Sequence, residues 1–268
     1  MRFGPAGYPS EGKDAFGALE YTRSIGLDAL EVGLVRGAKM AEERALKIGE
    51  KAKELDIRLS CHAPYYISFN SDKPETRKRS VEWVMDTART AHLMGAYIIV
   101  IHAATYGKKP KEALDSVIEG LTICRDNMDN EGIDDVILGV ETMGKQGQFG
   151  TLDEISEIME EVDGVRPVLD VAHVHARGVG ALKTEEDMKN LTNQFLSLCG
   201  DIAHFHISGI DYGDKGEKKH LTLNHKEPDM QLLADIMNGY GGDCTFICES
   251  PETTKDALYF KSMFPRFR

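Results

Sequence analysis

Cysteine is scarce and irregularly placed. The five cysteines (Cys61, Cys124, Cys199, Cys244 and Cys248) are odd in number and form no Cys-x-x-Cys pair. That excludes a disulfide framework and points to a reducing, cytoplasmic compartment. Long hydrophobic runs are also missing. Stretches such as Tyr97 to Ile101 fall far short of the roughly 20 apolar residues that span a bilayer. The opening Met1-Arg-Phe-Gly-Pro shows no apolar signal segment, so no membrane partner is expected. An excess of basic charge is absent too. Lys plus Arg number 32 against 44 Asp plus Glu, a formal net charge of −12. This argues against a protein that coats nucleic acid. It leaves room for a nucleic-acid enzyme whose bound cations and local lysines reverse the field around the substrate. No linker, low-complexity tract or composition shift interrupts the chain.

What is present is an ordinary globular composition, 41% hydrophobic and 28% charged over 268 residues. The length suits two small domains or one (β/α)8 barrel of about 250 residues. One alternation runs through it. Short apolar or β-branched runs lie near 2–7, 29–35, 58–64, 97–103, 136–142, 166–173, 202–209 and 244–251. Amphipathic stretches follow near 14–26, 39–56, 73–95, 110–132, 152–162, 184–200, 229–242 and 253–264. Met40, Ala45, Ile48 and Ala52 recur at helical spacing, with Lys39, Glu42, Glu43, Lys47, Glu50 and Lys51 on the other face. Thr151 and Glu154 form a capping box, and Gly26, Gly95, Gly132 and Gly200 sit where helices need a left-handed terminator. Near-continuous apolar strands mean a parallel sheet covered on both faces, and eight β/α units close a barrel. An α/β TIM barrel occupying 1–268 as a single domain is the expected fold. An open doubly wound sheet is the alternative, but no Gly-x-Gly-x-x-Gly follows the first strand.

The chemistry sits at the strand ends. Barrel strands deliver their C-terminal residues to one face. Here those residues are Glu31, His62, His102, Glu141, Asp170 with His173, His206 and Glu249. Crowding that many carboxylates and imidazoles together costs several kcal/mol per uncompensated charge. Divalent cations are the simplest compensation. Imidazole plus carboxylate suits Zn²⁺, Mn²⁺ or Fe²⁺ better than Mg²⁺ or Ca²⁺. Cys61 and Cys248 adjoin two candidate ligands, but strand alternation turns them into the core. Beyond the seventh strand, His220 and His225 lie among Lys215, Lys218 and Lys219, a basic loop suited to a phosphate.

Several segments, in order, resemble endonuclease IV, the zinc-dependent apurinic/apyrimidinic endonuclease family of the xylose-isomerase-like barrels. These are Gly139-Val-Glu-Thr142 with Gly144, Gly147 and Gly150, then Leu169-Asp-Val-Ala-His173 with Gly178. Phe205-His206 and Cys248-Glu-Ser-Pro251 complete the set. The resemblance implies two or three Zn²⁺ ions, with Mn²⁺ the other candidate. His62, His102 and Glu141 would hold the first. Glu141, Asp170, His206 and Glu249 would hold the second, and His173 with His220 the third. The family completes that third site with a carboxylate two residues before the last histidine. Here Lys218 occupies that position, and Glu217 and Asp214 are the nearby substitutes. The family's His-Pro-Gly is also altered, to His102-Ala-Ala104.

The implied activity is hydrolysis of the phosphodiester 5′ to an abasic site in double-stranded DNA, with Glu141 and Glu249 as the catalytic carboxylates. Tyr65 falls where the family places an aromatic wedge in DNA, with Tyr66 and Arg36 as further candidates and Lys218 and Lys219 as phosphate contacts. A monomer is expected. Two rivals remain. One is a sugar isomerase or epimerase using Glu141, Asp170, His206 and Glu249 around one Mn²⁺ or Mg²⁺. The other is non-enzymatic, a barrel whose metals are structural or a degenerate binding protein.

Overall fold

The computed structural model describes residues 1–34, 37 and 40–267. Arg36 lies outside the described residues. Eight parallel strands alternate with helices, the (β/α)8 TIM-barrel fold class that the alternation predicts. The strands are β1 (Arg2–Pro5), β2 (Ala29–Gly33), β3 (Arg58–His62), β4 (Ile98–Ile101), β5 (Ile137–Glu141), β6 (Val165–Asp170), β7 (Ile202–Ile207) and β8 (Asp243–Cys248). The helices are α1 (Ala15–Ser24), α2 (Glu42–Glu54), α3 (Pro74–Met94), α4 (Ala113–Asn130), α5 (Leu152–Glu161), α6 (Val171–Arg177), α7 (Glu185–Leu198), α8 (Met230–Asn238) and α9 (Thr253–Met263).

Backbone contacts divide the chain into two compact units. The first comprises Met1–Leu30, Thr142–Gln146 and Val168–Arg268. Its strands run in the order β1-β8-β7-β6, with Phe3 beside Phe246 and Asp170 beside His206. An aromatic core forms because Phe3 stacks on Phe246 at 5.4 Å and Phe205 stacks on Phe246 at 4.7 Å. Phe260 of α9 and Phe264, which follows that helix, close it from outside. Each such buried ring contributes about 1.5–3 kcal/mol relative to exposure.

Two features of this unit depart from the sequence reading. The strand expected over 166–173 ends at Asp170, because the Asp170 carboxylate caps the next turn. Its Oδ1 accepts the His173 N–H at 2.6 Å, and α6 begins there. The basic stretch after β7 is an antiparallel hairpin, Gly209–Gly213 against Gly216–Leu221, with a bulge in its register.

The second unit comprises Glu31–Glu141 and Gly147–Pro167. Its strand order is β2-β3-β4-β5, with His62 beside Val100 and Val100 beside Gly139. Ala45, Ile48 and Ala52 bury one face of α2 as the spacing predicts, but the helix starts at Glu42, so Met40 precedes it. The Thr151–Glu154 capping box is formed, and Gly95 ends α3 in the left-handed conformation at φ 66°. A short ladder pairs Ala104–Thr105 with Gln148–Phe149.

Candidate metal centres

In the second unit, β5 ends on Glu141, which is fully buried. A buried carboxylate needs positive charge or several donors nearby. His102 at the end of β4 brings Nε2 to 2.7 Å from Glu141 Oε2, and His62 at the end of β3 brings Nε2 to 3.4 Å from the same oxygen. His62 Nδ1 lies 2.8 Å from the Ala63 carbonyl. A carbonyl only accepts, so Nδ1 carries a proton, and a neutral ring then turns the Nε2 lone pair toward Glu141. Two acceptors facing each other require a cation, either a second ring proton or a metal ion. All three ligand atoms lie within 4.8 Å of one another.

The first unit holds a second cluster. His173 Nε2 and His220 Nε2 face each other at 3.1 Å. His173 Nδ1 donates to the Thr142 carbonyl at 2.9 Å, and His220 Nδ1 meets Ser208 Oγ at 2.7 Å. Both rings are therefore oriented from behind, the arrangement by which outer hydrogen bonds fix a metal ligand's tautomer. Ligand atoms of Asp170, His173 and His220 lie within 4.8 Å of one another. Glu217 stands beside the pair, with Oε2 at 3.6 Å from His173 Nε2 and Oε1 at 3.9 Å from His220 Nε2. In the same unit Glu249 Oε1 lies 3.5 Å from His206 Nδ1.

These donor sets fit a divalent cation. They are imidazole nitrogens and carboxylate oxygens, mostly buried, with Nδ1 of His62, His173 and His220 already engaged and Nε2 directed inward. The cysteines stay apart from them. All five are buried and reduced. Burial raises the Cys61 thiol, helped by the Glu31 charge, and pushes Cys248 up to about 12. Glu31 itself is buried and accepts from Ser60 Oγ at 2.8 Å.

Tyr65 is exposed, with its ring 4.9 Å from His62 and 5.2 Å from His102. Tyr66, also exposed, instead leans on Trp83 at 5.9 Å. Lys218 and Lys219 are exposed on the hairpin, and Lys218 faces Asp211 at 3.5 Å. His225 sits in an exposed turn after it. Sequence reasoning did not find Thr142, Ala63 or Ser208 as ring-orienting partners. Two of these act through backbone carbonyls, which leave no trace in residue type.

The description "Xylose isomerase-like TIM barrel" matches residues 19–263. The chain belongs to this family. Among family relatives, an uncharacterized protein of Methanocaldococcus jannaschii is 31% identical over 261 residues, 96% of this chain and 94% of its own length. A probable endonuclease 4 of Staphylococcus aureus is 25% identical over 213 residues, 75% of this chain. The match spans 65% of the S. aureus protein's length. Two solved structures share the fold of this xylose isomerase-like barrel. Endonuclease IV from Thermus thermophilus aligns over 100% of this chain and 98% of its own, with TM-score 0.75 and 19% identity. A D-tagatose 3-epimerase-like protein aligns over 100% and 97%, with TM-score 0.74 and 19% identity.

Proposed function

We propose that the protein is a metal-dependent phosphodiester hydrolase of the endonuclease IV type, acting 5′ to abasic sites in double-stranded DNA with zinc as its metal. The observation that carries this reading is the His173–His220 pair, oriented by Thr142 and Ser208, in addition to the His62–His102–Glu141 set. A sugar epimerase working with one ion has a use for Glu141, Asp170, His206 and Glu249 but none for two further imidazole pairs. The S. aureus relative named as a probable endonuclease 4 supports the same choice.

When bound, the ions supply charge opposite the phosphoryl oxygens and acidify a water. The chain's own residues do the rest. Glu141 holds its place between the His62 and His102 rings. Glu249, on the His206 ring, is the carboxylate assigned to orient the nucleophile. The exposed ring of Tyr65 is the group assigned to fill the gap at an unstacked abasic step. Lys218 and Lys219 would neutralise flanking phosphates.

The test is a duplex carrying one abasic site, given zinc-loaded or chelator-treated protein. The expected result is a single nick 5′ to the lesion that leaves a 3′-hydroxyl, disappears on chelation and returns with zinc. An intact duplex with metal-loaded protein contradicts the proposal. Turnover of ketoses by the same preparation would then favour the epimerase reading, to which the Lys218 departure also leans.

A further inference from the structure

We infer that Glu217 is the carboxylate ligand of the ion held by His173 and His220, brought there by the bulge in the hairpin. Regular alternation back from His220 would place Lys218 on the same face as His220, with Glu217 on the other. The observed register breaks that alternation. Asp211 pairs with Lys219, but Tyr212 pairs with Glu217, so Lys218 is the extra residue. A bulge of this kind re-aims the side chains that follow it. Lys218 is accordingly 58% exposed, whereas Glu217 is 13% exposed and reaches both imidazole Nε2 atoms, at 3.6 and 3.9 Å.

The surroundings are shaped for this placement. The Glu217 N–H donates to the Gly144 carbonyl at 3.0 Å, tying the hairpin to the Thr142–Gln146 segment. A Cβ on Gly144 would stand 2.7 Å from Glu217 Cβ and 2.9 Å from both Glu217 Oε2 and His173 Cδ2. The absence of a side chain at 144 is what lets the carboxylate and the ring lie side by side. Gly216 takes φ +93°, a left-handed conformation, to make the turn into Glu217. Asp214, the other carboxylate that the sequence offers in place of Lys218, lies in the exposed turn between the two hairpin strands. A lysine at the position where the family carries its carboxylate therefore leaves the donor set complete, with the ligand moved by one residue.

The inference rests on the metal-binding part of the proposed function and is independent of the substrate. Zinc per chain would be counted by mass spectrometry after dialysis, and the visible spectrum of the Co²⁺-loaded protein recorded, for wild type, Glu217→Gln and Asp214→Asn. Glu217→Gln is expected to lose one ion per chain and the corresponding Co²⁺ bands, while Asp214→Asn keeps both. Retention of the full count and spectrum in Glu217→Gln, or loss of the ion in Asp214→Asn, overturns the assignment. Should Glu217→Gln fail to fold, anomalous diffraction at the zinc edge of the wild type decides. An ion touching His173, His220 and Glu217 is expected, and an ion from which the carboxylate is turned away overturns it. Ion loss in Glu217→Gln without incision by the wild type would defeat the nuclease reading alone. Incision by a Glu217→Gln protein with its full ion count would defeat this inference alone.

Discussion

His62 turns Nε2 toward Glu141 Oε2 at 3.4 Å while its Nδ1 is committed to the Ala63 carbonyl at 2.8 Å. That pair defines the electrostatic demand of the second unit's cluster, a fully buried carboxylate that accepts from His102 Nε2 at 2.7 Å and is faced by the His62 Nε2 lone pair. Removing the carboxylate removes the reason for a cation. Glu141→Gln is expected to lose the ion held with His62 and His102 and to abolish incision, a fall of at least about 10²-fold by the scale of lost electrostatic stabilisation. Metal analysis and single-turnover incision check it. Unchanged metal and unchanged rate together would remove Glu141 from the site.

Ser208 acts on the other cluster through one hydrogen bond, 2.7 Å to His220 Nδ1. Loss of such an outer partner typically weakens metal binding about 10–100-fold. Ser208→Ala should show that loss for one ion and leave the ion at His62, His102 and Glu141 at wild-type affinity. Chelator competition measures both. An equal weakening of both ions would mean that Ser208 acts through the fold rather than through His220.

Chelation should destabilise the protein as well as inactivate it. The clustered imidazoles and carboxylates repel or go uncompensated without cations. A site kept at about 100 times its dissociation constant contributes about 2.7 kcal/mol. Thermal unfolding with and without chelator tests this, and identical melting temperatures would contradict metal binding to the native state.

His175 gives a pH signature separate from the metals. Burial, the largest influence, holds its imidazole below the ordinary value of 6.5. The unfolded chain takes up that proton first, so the stability from neutral His175 is present above pH 6.5 and is lost as pH falls through the folded value. The slope is at most about 1.4 kcal/mol per pH unit for one proton. In denaturant titrations of metal-free protein between about pH 7.5 and 5, the wild type should lose more stability than His175→Gln. Parallel curves would show that His175 titrates alike in both states.

Much of this was legible in the sequence because it is local. Thr151 and Glu154 specify a capping box within one turn, and Gly26, Gly95, Gly132 and Gly200 end helices in the left-handed region as read. The strand-end histidines and carboxylates were legible because each follows an apolar run. What was not legible depends on register or on the backbone. Val171-Ala-His173 reads as the end of a strand because it continues an apolar run, yet Asp170 caps it into α6. The hairpin's lysines and glycines mask two paired strands, and a one-residue bulge has no signature in composition. The carbonyls of Ala63 and Thr142 belong to every residue type, so their role on His62 and His173 appears only in three dimensions.

The most direct test is the number of zinc ions bound tightly per folded chain, counted on the wild type after exhaustive dialysis against metal-free buffer. The account predicts at least two, one with His62, His102 and Glu141 and one with His173 and His220. A single tightly bound ion would contradict it and would return the chain to the one-metal isomerase reading.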